Sequence, residues 1–161
     1  MDWKFLFLSS DGRISRQQFW IGALILIGAG VIAGWIPLVN IAFFFVSLYA
    51  WVCLYSKRLH DFGKTGWLTA IPISLFLIAF VLVMMTMGGL AAMGAFEGMH
   101  GEDPNPAALM GAGVSAMLLG LAALVSLAFL LWVGLTPGEP AANRYGEPPA
   151  DTPLPAPPPA A

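Results

Sequence analysis

Positive charge is missing from most of this chain. Seven Lys and Arg occur in 161 residues, and none lies between Arg16 and Lys57 or between Lys64 and Arg144. Three runs, 17–56, 65–96 and 104–138, hold no Asp, Glu, Lys, Arg or His. Charged residues make up 10% and hydrophobic residues 58%, with a mean hydropathy of +0.79, whereas a soluble domain is about 25% charged. Such a composition excludes an ordinary water-soluble domain. The net charge of −2 leaves no basic face for a nucleic-acid partner. Cysteine is nearly absent as well. Cys53, the single one, permits no internal disulfide and reads as a small buried apolar residue. The uncharged runs also argue against a pump or proton-coupled transporter, which needs ionisable groups inside its spans.

What remains is bilayer composition in one domain. A span needs about 20 apolar residues. The first run is long enough for two, and Pro37 near its middle should interrupt the backbone ladder. The expected helices are about 18–36, 39–58, 66–90 and 112–135, an all-α polytopic fold of four transmembrane helices within residues 1–147. Charge tests that count. Lys4, Arg13 and Arg16 precede the first span, Lys57, Arg58 and Lys64 separate the second from the third, and Arg144 follows the fourth. The connection at 91–111 carries Glu97, Glu102 and Asp103 but no cation. All cations then fall on one side, which the positive-inside rule makes cytoplasmic, together with both termini. Read as one span, 17–56 would split the cations between the two sides.

Smaller signals agree. Ser15 followed by Gln18 fits a capping box at the start of the first span. Trp20, Trp35, Trp51, Tyr55, Trp67 and Trp132 are placed toward span ends, as an aromatic belt requires. Pro72 should kink the third helix. Residues 3–8 are too short to span and should lie along the interface. The N-terminus reads as a signal anchor rather than a cleavable signal peptide. From Pro148 on, seven of fourteen residues are Pro, which predicts a disordered tail over 148–161.

The densest polar segment runs from Lys57 to Trp67. Lys57 and Arg58 should cap the C-terminal end of the second helix, and Gly63 suits a left-handed stop after it. Lys64 and Gly66 then stand at the mouth of the next helix, where backbone N–H groups can hold an anion. Gly63-Lys64-Thr65 is not a P-loop, because Arg58 occupies the place of the required first Gly. Arg13 and Arg16 flank a helix N-terminus, where the dipole disfavours cations, so one of them should approach Asp61. His60 beside Asp61 invites an acid–base reading, but adjacent helical residues do not face each other. No catalytic residue and no metal site are assigned. The Met84, Met85, Met87, Met93, Met99 and Met110 cluster with His100 lacks ligand spacing. Gly30 and Gly34, and the small residues Gly111, Ser115, Ala116, Gly120 and Ala123, allow close helix approach, within the chain or in a dimer.

Three segments together resemble a known family: Gly12 to Trp20, Lys57 to Trp67, and Asn143-Arg144-Tyr145-Gly146. Their order and spacing look like the signatures of the domain of unknown function 805 family, small bacterial inner-membrane proteins with about four spans. Lys57 in place of a more usual Arg, and Glu147-Pro148-Pro149, depart mildly from that pattern. The resemblance implies no activity or cofactor. It implies that Arg13, Arg16, Arg58, His60, Asp61, Gly63, Gly66, Trp67, Asn143, Arg144, Tyr145 and Gly146 form one cytoplasmic-face unit, to which the basic pattern adds Lys57 and Lys64. The expected function is non-enzymatic: a motif cluster that locks loops and binds anionic lipid headgroups or a membrane-protein partner. The alternative is an oligomeric small-molecule transporter or channel component.

Overall fold

A computed structural model describes residues 2–100 and 106–150. The chain is an all-α polytopic membrane protein. Its helices are α1 (Trp3–Leu8), α2 (Arg16–Ala33), α3 (Pro37–Asp61), α4 (Ala70–His100) and α5 (Pro106–Leu135), with a 3-10 turn at Gly66–Thr69. Among the described residues, four stretches are long and apolar enough to cross a membrane: Arg16–Ala33, Pro37–Asp61, Gly66–Ala91 and Met110–Leu135.

The helix ends follow local chemistry. Asp2 accepts from the N–H groups of Lys4 and Phe5 and starts α1. Ser15 and Gln18 form the reciprocal capping box at the start of α2. α2 stops at Ala33, earlier than expected, because Ile36 precedes a proline and is extended, at φ −123° and ψ 105°. Pro37 opens α3 as its first residue, where its missing N–H costs nothing. Pro72 likewise falls in the first turn of α4, so it removes no ladder hydrogen bond, and the expectation of a kink deeper in the helix loses its basis.

Helix also reaches into the stretch expected to be a connection. α4 continues to His100, and α5 starts at Pro106. No proline interrupts 73–103, and its Ala, Leu and Met residues favour helix. Residues 101–105 and 151–161, hence most of the expected proline-rich tail, lie outside the described residues.

Two compact units result. One joins Met1–Thr69 to Leu131–Ala161, and the other is Ala70–Leu130. In the first, α2 and α3 form a hairpin, with α1 packed on α3. Leu6, Ile14, Phe19, Cys53, Leu54, Leu59 and Val133 make its core. Gly22 has no side chain because Leu6 and Leu54 lie against it. Gly30 faces Phe43 of the same hairpin, so half of the GxxxG pair serves internal packing. Tyr55 packs on Phe19 and Trp51. Trp51 therefore sits inside α3 rather than at its end. In the second unit, Ala79 and Ala122 are buried, and Phe76 stacks on Phe80.

Large apolar side chains point outward along α2 and α3, among them Leu24, Ile32, Leu38 and Phe45, as in helices meant for lipid. Burial on α3 is concentrated toward its C-terminal end, from Ala50 through Asp61. Trp35 and Trp67, 85% and 83% exposed, mark the two ends of α3. Ser15→Ala removes the side-chain acceptor of the capping box and should lower stability by about 1 kcal/mol, read as a fall in the thermal unfolding midpoint in detergent.

Candidate functional site

Asp61 ends α3, and both of its carboxylate oxygens are taken. Oδ1 accepts from Arg13 Nε at 3.1 Å and lies 3.0 Å from Arg13 Nη2. Oδ2 accepts from Arg58, one turn earlier on α3. The backbone carbonyl of Asp61 accepts from Arg13 Nη2 at 3.2 Å and from the Glu139 N–H at 2.8 Å. The expected approach of an N-terminal arginine to Asp61 is thus made by Arg13, while Arg16 stays exposed.

Arg13 spends all five of its N–H groups. Beyond Asp61 it donates from Nη1 to the carbonyls of Ala141 (2.8 Å) and Gly146 (3.2 Å), and from Nη2 to the carbonyl of Glu139. Arg58 donates from Nε to Val133 (3.2 Å), from Nη1 to Ile14 (3.3 Å) and Asp61, and from Nη2 to Thr136. Lys57 turns the other way. Its Nζ donates to the carbonyls of Phe5 and Leu6 (2.7 Å for Leu6) and sits 4.5 Å from the centre of the Phe5 ring. Tyr49, two turns back on the same face, donates to the Leu8 carbonyl. Cys53 stands between Tyr49 and Lys57 at helical spacing and is fully buried.

Lys57 and Arg58 therefore do not cap their own helix. They cap two others, Lys57 the C-terminal carbonyls of α1 and Arg58 those of α5. Among the described residues three cations, Arg13, Lys57 and Arg58, share burial with one carboxylate, Asp61. The partial negative charge of helix C-termini supplies much of what the single carboxylate does not. No buried side-chain N or O among the described residues lacks a partner.

A strap formed by residues 136–146 closes over this end of α3. Gly138 lies directly against the Asp61 carboxylate, leaving no room for a Cβ. Asn143 donates to the His60 carbonyl (3.0 Å) and to Glu139 Oε2 (2.8 Å). Asn143 and Gly146 also pair through their backbones, with Gly146 at φ +121°. The His60 and Tyr145 rings stack, with centres 3.7 Å apart, and His60 Nδ1 meets the Gly12 carbonyl at 3.2 Å. Arg144 lies over Tyr145 and reaches the Gly63 carbonyl at 3.4 Å. Gly63 is left-handed, at φ +71°, the expected stop after α3.

The sequence motifs thus divide. Arg13, Arg58, His60, Asp61, Gly63, Asn143, Arg144 and Tyr145 meet in one interlocked set. Gly66 lies close to His60 and Ser56. Lys57 belongs to the α1 contact. Arg16, Lys64 and Trp67 are exposed and outside the set. Sequence reasoning missed Gly138, Glu139 and the carbonyls of Val133 and Thr136. Gly138 was the one available signal, and a backbone oxygen leaves none. No three His, Cys, Asp or Glu side chains among the described residues are grouped to hold a metal. Met84, Met85, Met87 and Met110 are exposed. The side chains of Met93, Met99 and His100 lie outside the described residues.

Residues 7–104 match the family model described as Protein of unknown function (DUF805). The chain belongs to this family. The matched stretch includes the first two motifs and ends before Asn143. No curated protein and no solved structure matches the chain. Within the site, Arg13, Arg58 and Asp61 spend their side-chain donors and acceptors on one another and on backbone.

Breaking that contact should cost heavily. Asp61→Ala leaves two guanidinium groups short of a counter-charge, a loss of about 3–5 kcal/mol for a buried pair, and should sharply reduce protein abundance in membranes. Lys57→Met should free α1 and make Cys53 reactive to a permeant maleimide, while wild-type Cys53 stays unreactive.

Proposed function

We propose that this is a non-enzymatic protein of the bacterial cytoplasmic membrane, with both termini cytoplasmic. Its buried polar cluster locks the chain termini to α3, and its exposed cations hold anionic lipid headgroups. The observation that carries this reading is the division of the cations. Arg13 and Arg58 are buried and engaged with carbonyls and Asp61. Lys4, Arg16, Lys64 and Arg144 are exposed at the same end of the unit.

Three further points support it. Exposed Trp3 and Trp67 accompany those cations, the pairing found at headgroup level. Lys4 and Arg13 precede α2 and Arg16 opens it, Lys57 and Arg58 lie near the end of α3 with Lys64 just after it, and Arg144 follows α5, which favours a cytoplasmic polar end. The His60 ring is held between the Gly12 carbonyl and Tyr145, an arrangement that suits a brace better than a proton carrier.

Near an anionic surface each Lys or Arg contributes about 1 kcal/mol. The double variant Arg16→Ala/Lys64→Ala should therefore bind phosphatidylglycerol roughly 30-fold more weakly than wild type, with unchanged thermal stability. Native mass spectrometry of protein extracted with its lipids measures this. Equal retention of anionic lipid by both proteins would refute the headgroup reading.

A further inference from the structure

We infer that the strap, residues 136–146, is a releasable cap over a phosphate-binding pair formed by Arg13 and Arg58. What the strap offers the two guanidinium groups is oxygen: the carbonyls of Thr136, Glu139, Ala141 and Gly146. Four acceptors from one short segment thus converge on two cations. A phosphate group presents several acceptor oxygens to guanidinium forks in the same manner.

Besides those bonds, the strap is tied by the Glu139 N–H to the Asp61 carbonyl, by Asn143 to the His60 carbonyl and by Arg144 to the Gly63 carbonyl. No residue from 135 to 150 is buried. Its one extensive side-chain contact is Tyr145 on His60, with Arg144 laid over the same ring. A segment with few buried apolar contacts opens at lower cost than the packed core beneath it. The apolar core beneath it, Phe19, Leu54, Leu59 and Val133, belongs to α2, α3 and the last turn of α5, and needs no part of the strap.

Release would leave an organised site. Asp61 would still hold Arg13 Nε and Arg58 Nη1. The carbonyls of Val133 and Ile14 would still orient Arg58. The freed donors would be Arg13 Nη1, one N–H of Arg13 Nη2, and Arg58 Nη2. Arg13 and Arg58 would then face one carboxylate, an excess of positive charge that favours an anionic ligand. The closed strap occupies this site with its own carbonyls. This inference rests on the lock geometry, and it stands or falls separately from headgroup contact by Arg16 and Lys64.

The test uses the full chain in nanodiscs of phosphatidylcholine, with amide hydrogen exchange of the strap and calorimetric phosphate binding as readouts. Gly138→Val should drive the strap off Asp61, so that the Glu139 amide, bonded to the Asp61 carbonyl in wild type, exchanges fast. Inorganic phosphate should then bind the opened variant about tenfold more tightly than wild type. Phosphatidylglycerol in the disc should weaken that binding by competition if a lipid headgroup is the source. Phosphate binding that phosphatidylglycerol leaves unchanged would identify a free phosphate compound. An opened strap with no gain in phosphate binding would overturn the proposal. Maleimide labelling of Cys53 reports whether the variant has kept its core. If Gly138→Val exposes Cys53, the milder Tyr145→Ala takes its place. A strap that neither variant opens without exposing Cys53 is an integral part of the fold, and the cap reading fails.

Discussion

Asp61 holds Arg13 by one carboxylate oxygen and Arg58 by the other. Through that single side chain, the segment before α2, the end of α3 and the strap after α5 are fixed to one another. The dependence is physical. Between helices surrounded by lipid, the apolar side chains gain nothing by leaving one greasy medium for another. Arrangement must come from close packing and from polar contacts that have no good alternative. A carboxylate with two guanidinium groups, shielded from water, is such a contact, because removing one member strands the charge of the others. The core of the unit supplies close packing, at Gly22 against Leu54 and at Phe19 against Tyr55.

The cluster also shows how a chain can bury more positive than negative charge. Helix C-termini end in carbonyls with no intrahelical partner. Lys57 fills those of α1 and Arg58 those of α5, so neighbouring residues on one helix point to opposite sides and tie down two different elements. Each cation satisfies acceptors that would otherwise need water, and each acceptor stabilises a charge that would otherwise need an acid. Basic residues next to each other in a sequence are thus not evidence of one shared surface.

Much of this could be read from residues. Long uncharged runs announced the spans, Pro37 the break between the first two, and Ser15 with Gln18 the start of α2. The Arg13–Asp61 contact followed from a cation at a helix N-terminus needing a counter-charge. What could not be read falls into two kinds. Helix boundaries moved because prolines at 37, 72 and 106 begin helices as readily as they end them. The partners of Arg58 and Lys57 are backbone oxygens, and every residue has one, so sequence carries no trace of which are chosen. Gly138 illustrates the limit: its presence is visible, its reason, the Asp61 carboxylate against it, is tertiary.

The unequal arms of the α2–α3 hairpin have a mechanical consequence. With 18 residues and a rise of about 1.5 Å each, α2 measures about 27 Å, short of a typical hydrocarbon thickness of about 30 Å. α3, with 25 residues, exceeds it at about 38 Å and can tilt to fit. A short helix cannot tilt its way out of the mismatch; the lipid beside it must compress. Joined by a turn of three residues, Gly34–Ile36, the two arms cannot adjust independently. A thick bilayer therefore strains this hairpin more than a thin one.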